Sequence, residues 1–379
     1  MKNSKIINHI SSLVLLIILA SGCLEYTITT RIMPDGSIER TVLVEGDSSS
    51  IFKGSLPVPT DSSWEIVAGY QEKSAGDSID EKKYVYKARK VFRNSGELNQ
   101  ELNWDTAGEG QIIRQVKVEK RFRWFHTYYR YSETYRQLFP FTRKPVNDFL
   151  SDEELELAHA GDDEIYYSPA SDRLLLKKDT LVKPALSEKD SLRMDELKKS
   201  LETKYFEWIK ANLYEEYFDA LKVALEKSGI MKPDETERTR DSLYVFFDAN
   251  YDFESFWTTD SSDVLLQLAS AYYHIDTAVI HQSNRSDFDV LYSKLQNMLP
   301  GYDDSFTNLT IMPGLIISTN STELNGNTVS WAVDSENFFE KDYTLLVESR
   351  KVNKGPIIVS GAVIALLLIG LVVGMVRKK

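Results

Sequence analysis

The sequence predicts an α+β fold: an antiparallel sheet from N- and C-terminal strands, a helical middle section, and one C-terminal transmembrane helix. Three observations carry that expectation. Apolar and polar residues alternate near both ends, apolar residues recur at helical spacing between about 187 and 299, and an uncharged apolar run, Ile357 to Val376, lies close to the C-terminus. Alternation sorts side chains onto the two faces of a strand, whereas recurrence at three and four residues makes one stripe of a helix. The order strands, helices, strands points to segregated rather than alternating elements.

The first segment, residues 1–22, reads as a signal peptide. Lys2 and Lys5 precede an apolar run, Leu13 to Ala20, which is too short for a permanent span of about 20 residues. Leu19-Ala20-Ser21-Gly22-Cys23 resembles the lipobox of bacterial lipoproteins. That resemblance implies cleavage before Cys23, a diacylglycerol thioether on its sulfur, and further acylation by a fatty acid such as palmitate. Cys23 is the single cysteine of the chain. Its use as a lipid attachment point leaves no disulfide, thiolate zinc cluster or cysteine nucleophile.

Residues 23–186 form the mainly β N-terminal part of one exocytoplasmic domain. Glu25 to Met33 and Ile38 to Val44 make a hairpin around Pro34-Asp35-Gly36-Ser37, where Pro presets φ and Gly accepts a positive one. Lys83 to Phe92 is a third strand. Gln111 to Phe125 is the clearest, with Val116, Val118, Phe122 and Trp124 on one face and Lys117, Glu119, Arg121 and Arg123 on the other.

Residues 187–299 form the helical section. Ser187 with Asp190 caps a helix that runs to about Lys227 on Leu197, Leu201, Tyr205, Trp208, Tyr217, Leu221 and Leu225, and Gly229 ends it. Further helices start at Pro233, around Val264, and at Ser286. Residues 300–351 return to strands: Leu315 to Ser318, then Thr328 to Val333 after an Asn325-Gly326-Asn327 turn, then Tyr343 to Arg350. The simplest closure puts the first hairpin and the last strand in one sheet, with Lys351 to Gly355 as a short tether to the membrane.

Residues 357–376 are long enough, at ~1.5 Å per residue, to cross a hydrocarbon core of about 30 Å. The basic tail 377–379 favours the cytoplasmic side. The expected location is therefore the cytoplasmic (inner) membrane, single-pass, with the domain outside the cytoplasm, periplasmic where an outer membrane exists.

Five of the 45 Lys and Arg residues lie in the two end segments, which carry no acid, so the part between holds 40 bases against 57 acids, a net charge of −17. Such a surface is repelled by nucleic acid, so no nucleic-acid partner is expected. No catalytic residue, metal ligand set or cofactor motif stands out. His274 and His281 lie two helical turns apart, His159 lies near Asp162-Asp163-Glu164 in what reads as a solvated loop, and there is no Gly-x-Ser-x-Gly, phosphate-cradling loop or His-Glu-x-x-His. Asn284, Asn308 and Asn320 match glycan acceptor triplets by chance.

The aromatic run Phe122-Arg123-Trp124-Phe125-His126-Thr127-Tyr128-Tyr129-Arg130-Tyr131 carries the one candidate surface. Trp124, Tyr128 and Tyr129 suit either a lipid- or interface-facing position or a core strand under the helices. Cys23 running directly into YTITTRIMPDGSIERTVLV, with Asn325-Gly-Asn-Thr-Val-Ser-Trp331, a last strand, an apolar helix and a basic tail at the other end, looks like the LppM-type envelope lipoproteins. That resemblance covers the two ends of the chain. It implies a domain likened to lipid-binding barrels and the handling of envelope lipids or glycolipids; the helical block departs from it. The expected role is a non-enzymatic binding domain for envelope lipid or glycolipid, with the bilayer as partner. The alternatives are a scaffold for another envelope protein and an envelope hydrolase with a scattered site.

Overall fold

A computed structural model of the chain describes residues 24–46, 48–49, 51–52, 58–71, 83–102, 112–160, 164–176, 186–251, 261–302 and 305–377. The signal segment, Cys23, Asp162, Asp163 and the last two residues lie outside the described residues.

The elements, in chain order, are β1 (Glu25–Ile32), β2 (Ile38–Gly46), β3 (Glu65–Gln71), β4 (Lys83–Phe92), α1 (Ser95–Leu102), β5 (Arg114–Phe122), β6 (His126–Tyr135), α2 (Asp152–Ala158), β7 (Ile165–Ser168), β8 (Arg173–Leu176), α3 (Glu188–Lys227), α4 (Pro233–Arg238), α5 (Arg240–Asn250), α6 (Ser261–Tyr273), α7 (Thr277–Ser283), α8 (Arg285–Tyr302), β9 (Ser305–Ile311), β10 (Leu315–Thr319), β11 (Glu323–Asn325), β12 (Thr328–Asp334), β13 (Tyr343–Val352) and α9 (Lys354–Arg377). The fold class is α+β with a helical middle, as the alternation and periodicity predict. The chain divides into two compact units, one of Met1–Arg136, Pro300–Phe338 and Asp342–Lys379, the other of Gln137–Leu299 and Phe339–Lys341.

The β unit holds two sheets. Seven strands run in the order β11-β12-β9-β1-β2-β4-β3, and four in the order β10-β13-β6-β5. The first hairpin forms as read, in register from Glu25 with Glu45 to Ile32 with Ile38. Its turn depends on Gly36, at φ 101°, and on Asp35 Oδ1, which accepts from the Ser37 N–H at 2.9 Å. The single-sheet closure is corrected here. β9 and β12 join the first hairpin, β9 lying parallel to β1, but the last strand β13 pairs with β6 and β10 in the second sheet. The inner faces pack Ile28, Val42, Val44, Tyr131, Val329 and Val347, all buried. Two further readings change. The long strand ends at Phe122, with Arg123 to Phe125 leading into a separate strand, β6. The expected tether is absent too: Lys351 and Val352 belong to β13 and Lys354 and Gly355 to α9, with Asn353 alone between them.

In the helical unit, α3 runs 40 residues. Ser187 Oγ accepts from the Asp190 N–H at 3.2 Å, and Gly229, at φ 72°, follows the helix end. Leu201, Trp208, Phe218, Leu221 and Leu225 are buried along it. Trp208 packs on Phe139, ring centroids 4.6 Å apart. Asn212, also buried, exchanges hydrogen bonds with the Lys144 backbone at 2.7 and 2.9 Å, fixing an irregular segment against the helix.

Candidate membrane-interface site

α9 is the one described helix long and apolar enough to cross a membrane. Its span Lys354–Val373 has a mean hydropathy of 2.8 and none of it is buried. A core helix would be covered by its own protein, so this exposure is what a lipid-facing segment needs. Pro356 falls in its first turn, where a missing N–H is tolerated.

The aromatic run lies beside the root of this helix. Strands β5 and β6 are joined by a two-residue turn, Trp124-Phe125, closed by Arg123 and His126 through N–H···O bonds of 2.7 and 3.2 Å. Neither apex residue has a positive φ, so no glycine is needed there. The turn is held instead by Asn353. Its Nδ2 donates to the Arg123 carbonyl at 2.6 Å, its backbone N–H to the Phe125 carbonyl at 2.9 Å, and its Oδ1 accepts from Thr127 Oγ1 at 2.8 Å. Trp124 Nε1 donates to Ser360 Oγ at 2.8 Å. Ser360 lies six residues into α9, roughly 9 Å along its axis. Phe122, Trp124 and Phe125 are 62, 53 and 49 % exposed. An apolar tip therefore projects alongside the first turns of the span.

Behind the tip, strand register orders the outer face of the four-stranded sheet. Tyr128 sits opposite Arg121 on β5 and Arg350 on β13, a row of two cations flanking a phenol. The next row outward from the tip is Glu119, Arg130 and Glu348. Arg121 donates to Glu119 at 2.7 Å, and Arg130 Nε lies 3.5 Å from Glu348. The pKa of the half-buried Glu119 carboxyl is lowered, chiefly by hydrogen bonds from Lys117 and Arg121. A cleft of about 440 Å³ opens here, lined by Glu119, Arg121, Arg123, Tyr128, Arg130 and Glu348, with Tyr129 at its edge.

Trp124 is thus exposed at the tip and Tyr128 half-buried in the cleft. Tyr129 is buried on the opposite face of β6, its hydroxyl donating to the Pro34 carbonyl at 2.8 Å. Cys23 lies outside the described residues. The histidines stay apart: His159 contacts Glu340 at 2.9 Å, and His281 lies 3.7 Å from Asp289. Among the described residues no three His, Cys, Asp or Glu side chains gather to hold a metal ion. Asn284 and Asn308 are buried in hydrogen-bond networks, which closes both to a glycan.

Sequence reading missed Asn353, the cationic row with Arg350, and the strand identity of β6. The signal for β6 was present, since Thr127, Tyr129, Tyr131, Glu133 and Tyr135 alternate inward. A Trp-Phe turn carries no Gly, Pro, Asn or Asp to mark it.

No family model and no curated protein matches the chain. Among solved structures, the NMR structure of the Mycobacterium tuberculosis LppM protein folded domain pairs with it at 9 % identity and a TM-score of 0.26, over 88 % of this chain and 92 % of that one. Similarity at that level is a weak resemblance, and no argument is built on it.

Proposed function

We propose that this chain is an exported lipoprotein of the cytoplasmic membrane, attached by lipid on Cys23 and by α9. Its β unit acts, without catalysis, as a binder of acidic lipid headgroups, whether of phospholipid or glycolipid. The carrying observation is the exposed Phe122-Trp124-Phe125 tip, stapled by Asn353 to the root of a membrane-length helix. Trp and Phe at that depth favour the bilayer interface, where an indole meets both hydrocarbon and headgroup. The Arg121–Tyr128–Arg350 row then stands at headgroup level, and guanidinium forks suit phosphate and carboxylate oxygens.

The test is native mass spectrometry of the full chain released from nanodiscs of zwitterionic lipid doped with an acidic phospholipid. The wild type should retain the acidic lipid in excess of its share of the bilayer. The double substitution Arg121→Gln and Arg350→Gln should cut that excess several-fold while leaving the fold intact by circular dichroism. Retention in proportion to bilayer composition, in wild type and variant alike, would remove headgroup binding from the reading.

A further inference from the structure

The two charged rows on the outer face of the four-stranded sheet differ in the order of their charges. The row nearer the β5–β6 tip is Arg121, Tyr128 and Arg350, two cations about a phenol. The row beyond it is Glu119, Arg130 and Glu348, one cation between two acids. Residues two apart on a strand share a face, so the rows lie about 6.6–6.8 Å apart, with neighbouring strands about 4.8 Å apart. A headgroup that enters from the tip therefore meets positive charge first and both signs next.

The two acids of the second row are not equivalent. Glu119 is taken up by its own strand, Lys117 Nζ and Arg121 Nη2 reaching its two oxygens at 2.8 and 2.7 Å. Arg130 Nε, by contrast, stands 3.5 Å from Glu348 Oε1, and the two side chains are 52 and 36 % exposed. That separation is longer than the roughly 2.7–2.9 Å of a tight charge-assisted hydrogen bond. A guanidinium carries several N–H donors and a carboxylate several acceptor sites, so each can take a ligand without releasing the other. Both line the cleft of about 440 Å³, together with Arg121 and Tyr128. An open cation beside an open anion is the complement of a carboxylate and an ammonium on one carbon, which is the end of an α-amino acid.

We propose that the cleft selects, among acidic phospholipids, one whose headgroup ends in an α-amino acid, as a phosphoserine ester does. This selectivity rests on the headgroup binding proposed above and adds the class of headgroup to it. The phosphate lies at the row of Arg121, Tyr128 and Arg350, the α-carboxylate on Arg130 and the α-ammonium on Glu348. An ester oxygen and a methylene separate the phosphorus from the α-carbon, which carries the amino acid from the first row to the second. A glycerol headgroup brings neither charge to the second row. An ethanolamine headgroup brings the ammonium but no carboxylate for Arg130.

The test uses the full chain in nanodiscs of phosphatidylcholine doped with equal shares of phosphatidylserine, phosphatidylglycerol and phosphatidylethanolamine, with retained lipid read by native mass spectrometry. Phosphatidylserine should be retained over phosphatidylglycerol by about three- to tenfold, the range that exposed charge contacts supply. Glu348→Gln and Arg130→Gln, each breaking an exposed pair that adds little to the fold, should bring phosphatidylserine down to the level of phosphatidylglycerol. Both lipids should stay enriched over phosphatidylcholine in these variants, because the first row is intact. Equal enrichment of phosphatidylserine and phosphatidylglycerol by the wild type would overturn the amino-acid assignment and leave headgroup binding standing, whereas enrichment of neither would overturn headgroup binding itself. Phosphatidylethanolamine retained as strongly as phosphatidylserine would remove the carboxylate from the assignment. A preference for phosphatidylserine that survives both substitutions would overturn the location. Displacement of the lipid by an equal concentration of soluble glycerophosphoserine would make the ligand a soluble phosphoserine and overturn the lipid assignment.

Discussion

Glu133 is fully buried and its two oxygens accept from Arg40, Tyr131 and Asn308. Burial alone raises a carboxyl pKa, but the Arg40 charge and the hydrogen bonds from Arg40 outweigh it, so the Glu133 value falls from 4.5 to about 2. A folded-state pKa below the unfolded one contributes stability that is complete above the unfolded value and is lost as pH falls through the folded one. The window here runs from about 4.5 down to about 2. Denaturant unfolding of the wild type between pH 5 and pH 2 should show this loss, and Glu133→Gln should lack the part that Glu133 supplies. At pH 7 the same substitution leaves Arg40 buried beside a neutral amide and should cost about 3–5 kcal/mol. Pairing Arg40→Met with Glu133→Leu should recover only part of that cost, since Arg114 then stays buried without the Glu133 carboxylate 4.0 Å away. A double variant no more stable than the single would mean that the network holds the sheets by its geometry as well as its charge balance.

Turns and junctions decide how these elements meet. Gly314, between β9 and β10, has φ 92°, and a Cβ there would stand 2.3 Å from the Arg350 carbonyl oxygen. Backbone cannot yield as a flexible side chain can, so Gly314→Ala should destabilise the β unit by on the order of 2–4 kcal/mol, combining strain with displacement of β13. Hydrogen exchange should report the loss first in β10 and β13; unchanged protection there would refute the clash. The β5–β6 turn makes the opposite kind of prediction. Phe122 and Trp124 are exposed, so replacing both with Ser should leave chemical stability within about 0.5 kcal/mol. Quenching of tryptophan fluorescence by brominated lipid should nevertheless drop, because Trp124 is the residue placed against the span. Undiminished quenching would place the tip outside the bilayer interface.

At the scale of the whole molecule, β13 passes into α9 through Asn353 alone, and Asn353 also carries the β5–β6 turn. The β unit is therefore joined to α9 through hydrogen-bonded residues rather than through a flexible linker. Two anchors make the attachment redundant under the proposed lipidation. Cys23→Ser alone should leave the chain in the membrane fraction, and so should a stop codon after Asn353 with Cys23 intact, because a diacylglycerol supplies two chains. Only the combination should release it. Release by the truncation alone would remove the lipid from the proposal.

Local pattern sufficed for a definite set of features. Net charge, the apolar run that becomes α9, the β1–β2 hairpin, and α3 with its Ser187 cap and Gly229 end were all legible, because each depends on neighbours within a few residues. The α+β class followed from where alternation gives way to helical spacing. The sorting of strands into two sheets did not follow, since alternation marks the two faces of a strand but names no partner. The same limit hid the site. The run from Phe122 to Tyr131 is aromatic from end to end, yet one end is exposed beside Ser360 and the other is core, a difference made by residues more than 200 positions away. Arg40 and Glu133 look in sequence like two solvated charges on ordinary strands. Only the closing of one sheet over the other takes them out of water together, and desolvation is what turns two surface charges into a buried pair.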